Sequence, residues 1–197
     1  MRARLRSKTS RRSAKASSRS SRRSSTRGST TRARPQRNAP VAPISVASTE
    51  RNPGLRSIIL KSLVRGALER LGRPLATASI VLTDDAMIRR LNLDYRESDQ
   101  ATDVLSFPLA NPESIADPSR PIFLGEIYIS LETARAQARA ARRAYPREVA
   151  HLVVHGLLHL LGHDHRTPAE RRRMAALEAR LLRALGGTVA AMASERL

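Results

Sequence analysis

The sequence predicts an α+β domain: a small mixed sheet of about four strands packed with four to five helices, with a metal site on a helix-turn segment. Three observations lead there. Short β-rich runs at Ala78–Leu82, Val104–Phe107 and Ile127–Ile129 alternate irregularly with longer segments of helical spacing. Of the 36 Lys and Arg, 14 lie in residues 1–49, which hold no Asp or Glu, so most of the +19 net charge belongs to the first quarter of the chain. All five histidines fall within residues 151–165.

Residues 1–40 hold ten Ser, four Thr and fourteen bases, with almost no bulky apolar side chains. Such a segment buries too little apolar surface to offset its ordering entropy, so it reads as a disordered tail. An organelle transit peptide, an arm that attracts RNA phosphates and a dispensable extension all fit this composition, RNA attraction slightly best. A secretory signal does not, because no apolar segment follows the basic start. Pro40, Pro43 and Pro53 punctuate a linker over residues 41–52. The domain organisation that follows is a basic tail over 1–49, one folded domain over 50–190 and a short C-terminal end.

Regular structure is expected from about Pro53. Leu55, Ile58, Ile59, Leu63, Ala67 and Leu71 recur at helical spacing up to Gly72. After the first strand, Thr83 or Asp84 can cap a helix carrying Met87, Ile88 and Leu91. Pro108 stops the second strand, and three prolines over 110–121 mark a loop before the third. Helices are expected over Leu131–Arg143 and Pro146–Leu161, the second opened by a proline whose missing N–H has no intrahelical role. Thr167-Pro168-Ala169-Glu170 is a capping-box signal for a last helix, which Gly186-Gly187 end.

Composition excludes several function classes. With no Cys there is no disulfide scaffold, thiol nucleophile or Cys-ligated metal. No apolar run reaches the roughly 18 residues that span a bilayer. With no Trp, three Tyr and two Phe, rows of aromatic platforms for bases are not expected.

The histidines carry the chemistry. His151, His155 and His159 stand four apart on one apolar helix, so the last two can direct imidazoles to one point. Gly162 lets the chain turn and bring His165 back towards them. Three imidazoles about 2.0–2.1 Å from one Zn²⁺ would leave a fourth position for water. The segment His155-Gly156-Leu157-Leu158-His159-Leu160-Leu161-Gly162-His163-Asp164-His165 matches the metzincin protease pattern at all three ligands and the glycine. It departs at Gly156, where those proteases keep a glutamate base, which argues against peptide hydrolysis. His151 and His163 read as supporting donors, substrate contacts or structural residues. Asp164 either orients a ligand imidazole or caps a helix end.

This histidine block resembles the signature of the YbeY endoribonucleases, or rRNA maturation factors. Thr102–Pro108, Leu124–Ser130 and Leu91–Arg96 are similar to three further segments of that family, in its order, and the resemblance covers about residues 55–186. It implies a single-strand-specific, zinc-dependent endoribonuclease with one ion per chain, acting in 3′-end maturation of small-subunit (16S) rRNA and in ribosome quality control. It also implies His155, His159 and His165 as ligands, Arg96 as the basic active-site residue, and single-stranded RNA, rRNA and the small ribosomal subunit as partners, with neither membrane nor DNA. The implied place is the cytoplasm, or a mitochondrion or plastid if residues 1–49 are a transit peptide. An arginine suits a phosphate, because its planar fork donates two parallel hydrogen bonds. The competing reading is a non-catalytic ribosome-assembly protein with a structural zinc. Asp103 and Glu126 either manage a proton or pair with neighbours. Arg135, Arg139, Arg142 and Arg143 form either a phosphate-facing surface or an ordinary solvated one.

Overall fold

The computed structural model describes residues 42–192. The tail expected over residues 1–40 therefore lies outside the described residues. In chain order the elements are β1 (Ser45–Ser48), α1 (Ser57–Arg70), β2 (Ala76–Thr83), α2 (Asp85–Arg96), β3 (Val104–Pro108), α3 (Pro112–Ala116), β4 (Ile122–Ser130), α4 (Leu131–Ala140), α5 (Tyr145–Leu160), α6 (Pro168–Ala184) and α7 (Gly186–Ala190). One four-stranded sheet runs in the order β1-β2-β4-β3. The pairs β1–β2 and β2–β4 are parallel, and β3 joins β4 antiparallel at the edge. This is the mixed α+β sheet that the sequence predicts, with five helices of ten residues or more and two single-turn ones.

Strand alternation decides where the core lies. Ala78, Ile80 and Leu82 of β2 and Ile127 and Ile129 of β4 are fully or almost fully buried on one face. Ser79, Val81, Glu126 and Tyr128 alternate with them on the other face and are only half-buried. Helix α5 packs on the apolar face, and Leu60, Leu63, Val64 and Leu68 of α1 join the same core. Among the described residues, no helix is long and apolar enough to cross a membrane.

Three expectations need correction. Strand β1 falls inside the stretch read as a linker: Ser45–Ser48 pair with Ser79–Leu82, so the sheet extends N-terminal of residue 50. Only Val46 of its four residues favours a strand, and pairing with β2 makes them one. Helix α4 ends at Ala140 instead of Arg143, because Arg142 adopts φ 50° and the amide of Arg143 closes the helix on the carbonyl of Ala138. Helix α6 ends at Ala184, just before Gly186-Gly187 as read, but it is not the last helix, because Gly186 opens α7.

At Gly125 the register of β4 slips against β2 in a bulge. Its φ is +139°, and a Cβ there would lie 2.1 Å from the Phe107 carbonyl oxygen, so only glycine fits.

Candidate metal centre

Helix α5 buries Val149, Leu152, Val153, Leu157 and Leu160 against the sheet and leaves His151, His155 and His159 half-exposed on one stripe. It ends in a Schellman turn. The amide of Gly162, at φ +84°, donates to the His159 carbonyl at 2.9 Å, and that of His163 donates to Leu158 at 2.9 Å. The chain reverses there and carries His165 back beside the last turns of α5. Asp164 holds this segment by accepting from the His165 amide at 2.7 Å and pairing with the Arg166 side chain at 2.6 Å. Asp164 thus orders the backbone at His165, and no imidazole donates to it.

The three expected ligands meet. One ring nitrogen from each of His155, His159 and His165 lies within 4.8 Å of the other two. Nε2 of His155 and Nε2 of His159 are 3.1 Å apart. Two donors on one tetrahedral zinc, each at about 2.0–2.1 Å, stand about 3.4 Å apart, so these two rings need shift only by tenths of an ångström to share an ion. Burial, then the neighbouring rings of His155 and His165, lower the pKa of His159 and favour the neutral imidazole that a metal requires. No fourth His, Cys, Asp or Glu joins them among the described residues, and His165 is exposed. Three neutral nitrogens with an open side fit zinc and also suit copper, iron or nickel.

The sequence reading did not identify Glu178 of α6. Nδ1–H of His155 donates to its Oε1 at 2.7 Å, which leaves Nε2 of the same ring free to face the triad. Oε2 of Glu178 lies 3.5 Å from Nε2 of His151. Half-burial alone would raise the pKa of Glu178, but His151 and then His155 outweigh it and bring the carboxyl down to about 2. The contact with Glu178 in turn raises the pKa of His151 against its own burial. A signal for this residue exists in the sequence: Glu178 sits between Met174 and Leu181, the two buried residues of α6, as an acid on an apolar stripe.

Gly156 has a packing role. A Cβ there would meet Cγ2 of Ile127 at 2.7 Å and Oγ of Ser106 at 3.0 Å. The turn of α5 that carries His155 and His159 lies so close to the sheet that a glutamate cannot be inserted without displacing β3 or β4.

The remaining candidates disperse. Arg96 is the last residue of α2, is exposed, and makes no hydrogen bond or ion pair among the described residues. Its neighbour Tyr95 packs edge-on against Phe107 at 5.0 Å, and Phe107 against Tyr128 at 5.6 Å, which ties the end of α2 to the face of the sheet opposite α5. Glu126 is on that same opposite face and accepts from the Tyr128 hydroxyl at 2.9 Å, away from the histidines. Asp103 accepts from the Val104 amide at 2.8 Å and the Gln137 side chain at 2.9 Å, tying the start of β3 to α4. Both acids are therefore structural pairs. Of the arginines of and beyond α4, Arg135 is spent on Glu50 at 2.7 and 2.8 Å and Arg143 on Glu148 at 3.1 Å, while Arg139 and Arg142 are exposed. His163 is exposed.

Comparison with known proteins identifies the family. The sequence model of the family described as Endoribonuclease YbeY matches residues 51–186. The chain is 46% identical over 151 residues to Endoribonuclease YbeY of an Anaeromyxobacter species, covering 76% of each protein. It is 44% identical to that of Anaeromyxobacter dehalogenans, over 70% of this chain and 68% of the relative. For Heliobacterium modesticaldum the figures are 45%, 66% and 82%. The matched span runs from just after β1 to the start of α7 and takes in every residue of the histidine cluster and Glu178, and with relatives this similar over most of their own length the chain belongs to the YbeY endoribonuclease family.

Proposed function

We propose that this protein is a zinc-dependent endoribonuclease that cleaves single-stranded RNA, with His155, His159 and His165 as the metal ligands and Arg96, exposed at the end of α2, as the basic residue that meets an RNA phosphate. Its place, on this reading, is 3′-end maturation of 16S rRNA. Family membership supports RNA as the substrate class. The observation that carries the metal is the convergence of three imidazole nitrogens within 4.8 Å beside a tight helix-ending turn. Three ligands favour catalysis over a structural zinc, which takes four protein ligands.

A divalent cation held there supplies positive charge where a phosphodiester gathers negative charge during cleavage. The protein's own residues supply the positioning. Glu178 fixes the ring and tautomer of His155, the Gly162 turn presents His165, and the close seat of Gly156 on Ile127 and Ser106 holds the helix between them. Arg96 adds a guanidinium that can bind two phosphate oxygens at once.

Two variants test the reading. His159→Ala is expected to purify without metal and without RNA cleavage; cleavage surviving in the metal-free variant would overturn the proposal. Arg96→Ala, an exposed position, is expected to keep its fold and its metal while cleavage falls about 100-fold, the scale of losing one donor to a developing oxyanion. Unchanged cleavage would remove Arg96 from the site and leave the metal reading standing.

A further inference from the structure

Between α5, α6 and α7 lies a cavity of about 880 Å³. Ala179, Leu182 and Val189 line it with apolar side chains, and the exposed Arg147 and Arg183 line it as well. Arg143 also lines it but is engaged with Glu148 at 3.1 Å, whereas Arg147 and Arg183 have no carboxylate partner among the described residues. The one acid in the lining, Glu178, is occupied by His155 and His151. The cavity thus pairs an apolar slot with uncompensated guanidinium charge, a combination suited to a flat heterocycle joined to a phosphate.

Its position on the helix adds a direction. Arg147, His151, His155 and His159 stand at intervals of four along α5, so they share one stripe that runs from the cavity to the histidine cluster. At about 1.5 Å rise per residue, Arg147 is about 12 Å along the helix from His155, a span that a short run of nucleotides covers. Glu178 lines the cavity and also holds the His155 ring, so the two sites share a wall.

We propose that this cavity is a nucleotide subsite for the RNA strand: a base lies against Ala179, Leu182 and Val189, and its phosphate is held by Arg147 and Arg183. The inference rests on the endoribonuclease reading for its substrate class and goes beyond it in naming where the strand is gripped outside the metal centre. Nucleotides flanking the cleaved bond then contribute binding through α6 and α7, whereas a substrate too short to reach the cavity gains nothing from it.

The test uses the full chain, with binding of a single-stranded oligoribonucleotide measured on metal-stripped protein so that no cleavage intervenes. Two variants attack the two halves of the subsite: Arg147→Ala/Arg183→Ala removes the charge, and Ala179→Trp fills the apolar side at an exposed helix position in a chain that has no other Trp. Both are expected to weaken binding about tenfold. The double variant should also lower the slope of log affinity against log salt by about 0.7, for the one phosphate that the two arginines hold on a single strand, while Ala179→Trp leaves the slope alone. With metal restored, both variants should raise KM for the oligoribonucleotide about tenfold, and cleave a dinucleotide as wild type does. Wild-type affinity in both folded variants would overturn the subsite whatever the cleavage result, as would an equal loss on the dinucleotide. If the metal-loaded wild type cleaves no RNA but the variants still lose binding, the nuclease reading falls and the subsite stands.

Discussion

The segment His151–His165 and the segment Leu91–Pro108 contribute in different ways. In the first, spacing along one helix and one turn brings three side chains together, and the geometry is nearly complete within fifteen residues. In the second, eighteen residues cross from a helix through a loop to an edge strand, and several of their side chains fasten elements. Asp103 ties β3 to Gln137 of α4, Phe107 locks Tyr95 to Tyr128, and Arg96 is left unengaged among the described residues. Chemistry placed by local periodicity is readable from sequence, whereas chemistry placed by packing needs the fold.

The sharpest way to break this contrast is at Gly156, where the two segments touch. Gly156→Glu would place in this helix the acid of the metzincin pattern. Because even a Cβ there overlaps Ile127 and Ser106, the variant is expected to lose about 4 kcal/mol or more of stability by urea denaturation and to gain no peptidase activity. A stable Gly156→Glu protein would mean that the helix has room to move off the sheet.

A smaller effect is expected at Glu178, which supports the first segment from 23 residues beyond His155. Glu178→Gln keeps an acceptor for the His155 N–H but removes the charge. Metal affinity, measured by competition with a chelator, should fall 10- to 100-fold with the fold intact. Affinity equal to wild type would make Glu178 a packing residue only.

The smallest effect lies outside both segments. Arg135 holds the Glu50 carboxyl below the usual range through their paired hydrogen bonds, against partial burial. A depressed folded-state pKa means that the pair stabilises the fold above pH about 4.5 and loses that contribution as the pH falls through the lowered value. The stability difference between wild type and Arg135→Ala should therefore be about 1 kcal/mol or less at pH 7 and shrink by pH 3. A difference that grows on acidification would contradict the pairing, since stacking of Arg135 over Tyr145 is insensitive to that titration.

Much of the fold and half of the site were legible in the sequence, and the reasons for the rest are specific. The capping box Thr167–Glu170 and the Gly162 turn encode their conformations in neighbouring residues, and both form as read. Strand β1 has no such code: Ser45-Val46-Ala47-Ser48 becomes a strand only because the exposed edge of β2 accepts it. Glu178 looked like one charge among many on an Arg-rich helix, and its partner is set by how α6 crosses α5. Gly156 was legible as a missing base; that the sheet forbids any side chain there was not.

The central claim is that His155, His159 and His165 hold one ion that RNA cleavage needs. It is tested most directly by stripping the protein with a chelator, adding Zn²⁺ in measured steps, and following bound metal and cleavage of single-stranded RNA together. Cleavage is expected to return in proportion to occupancy, to reach its plateau at one ion per chain and to fail to return in His159→Ala. Full cleavage by the stripped protein, or a plateau of activity in His159→Ala, would contradict it.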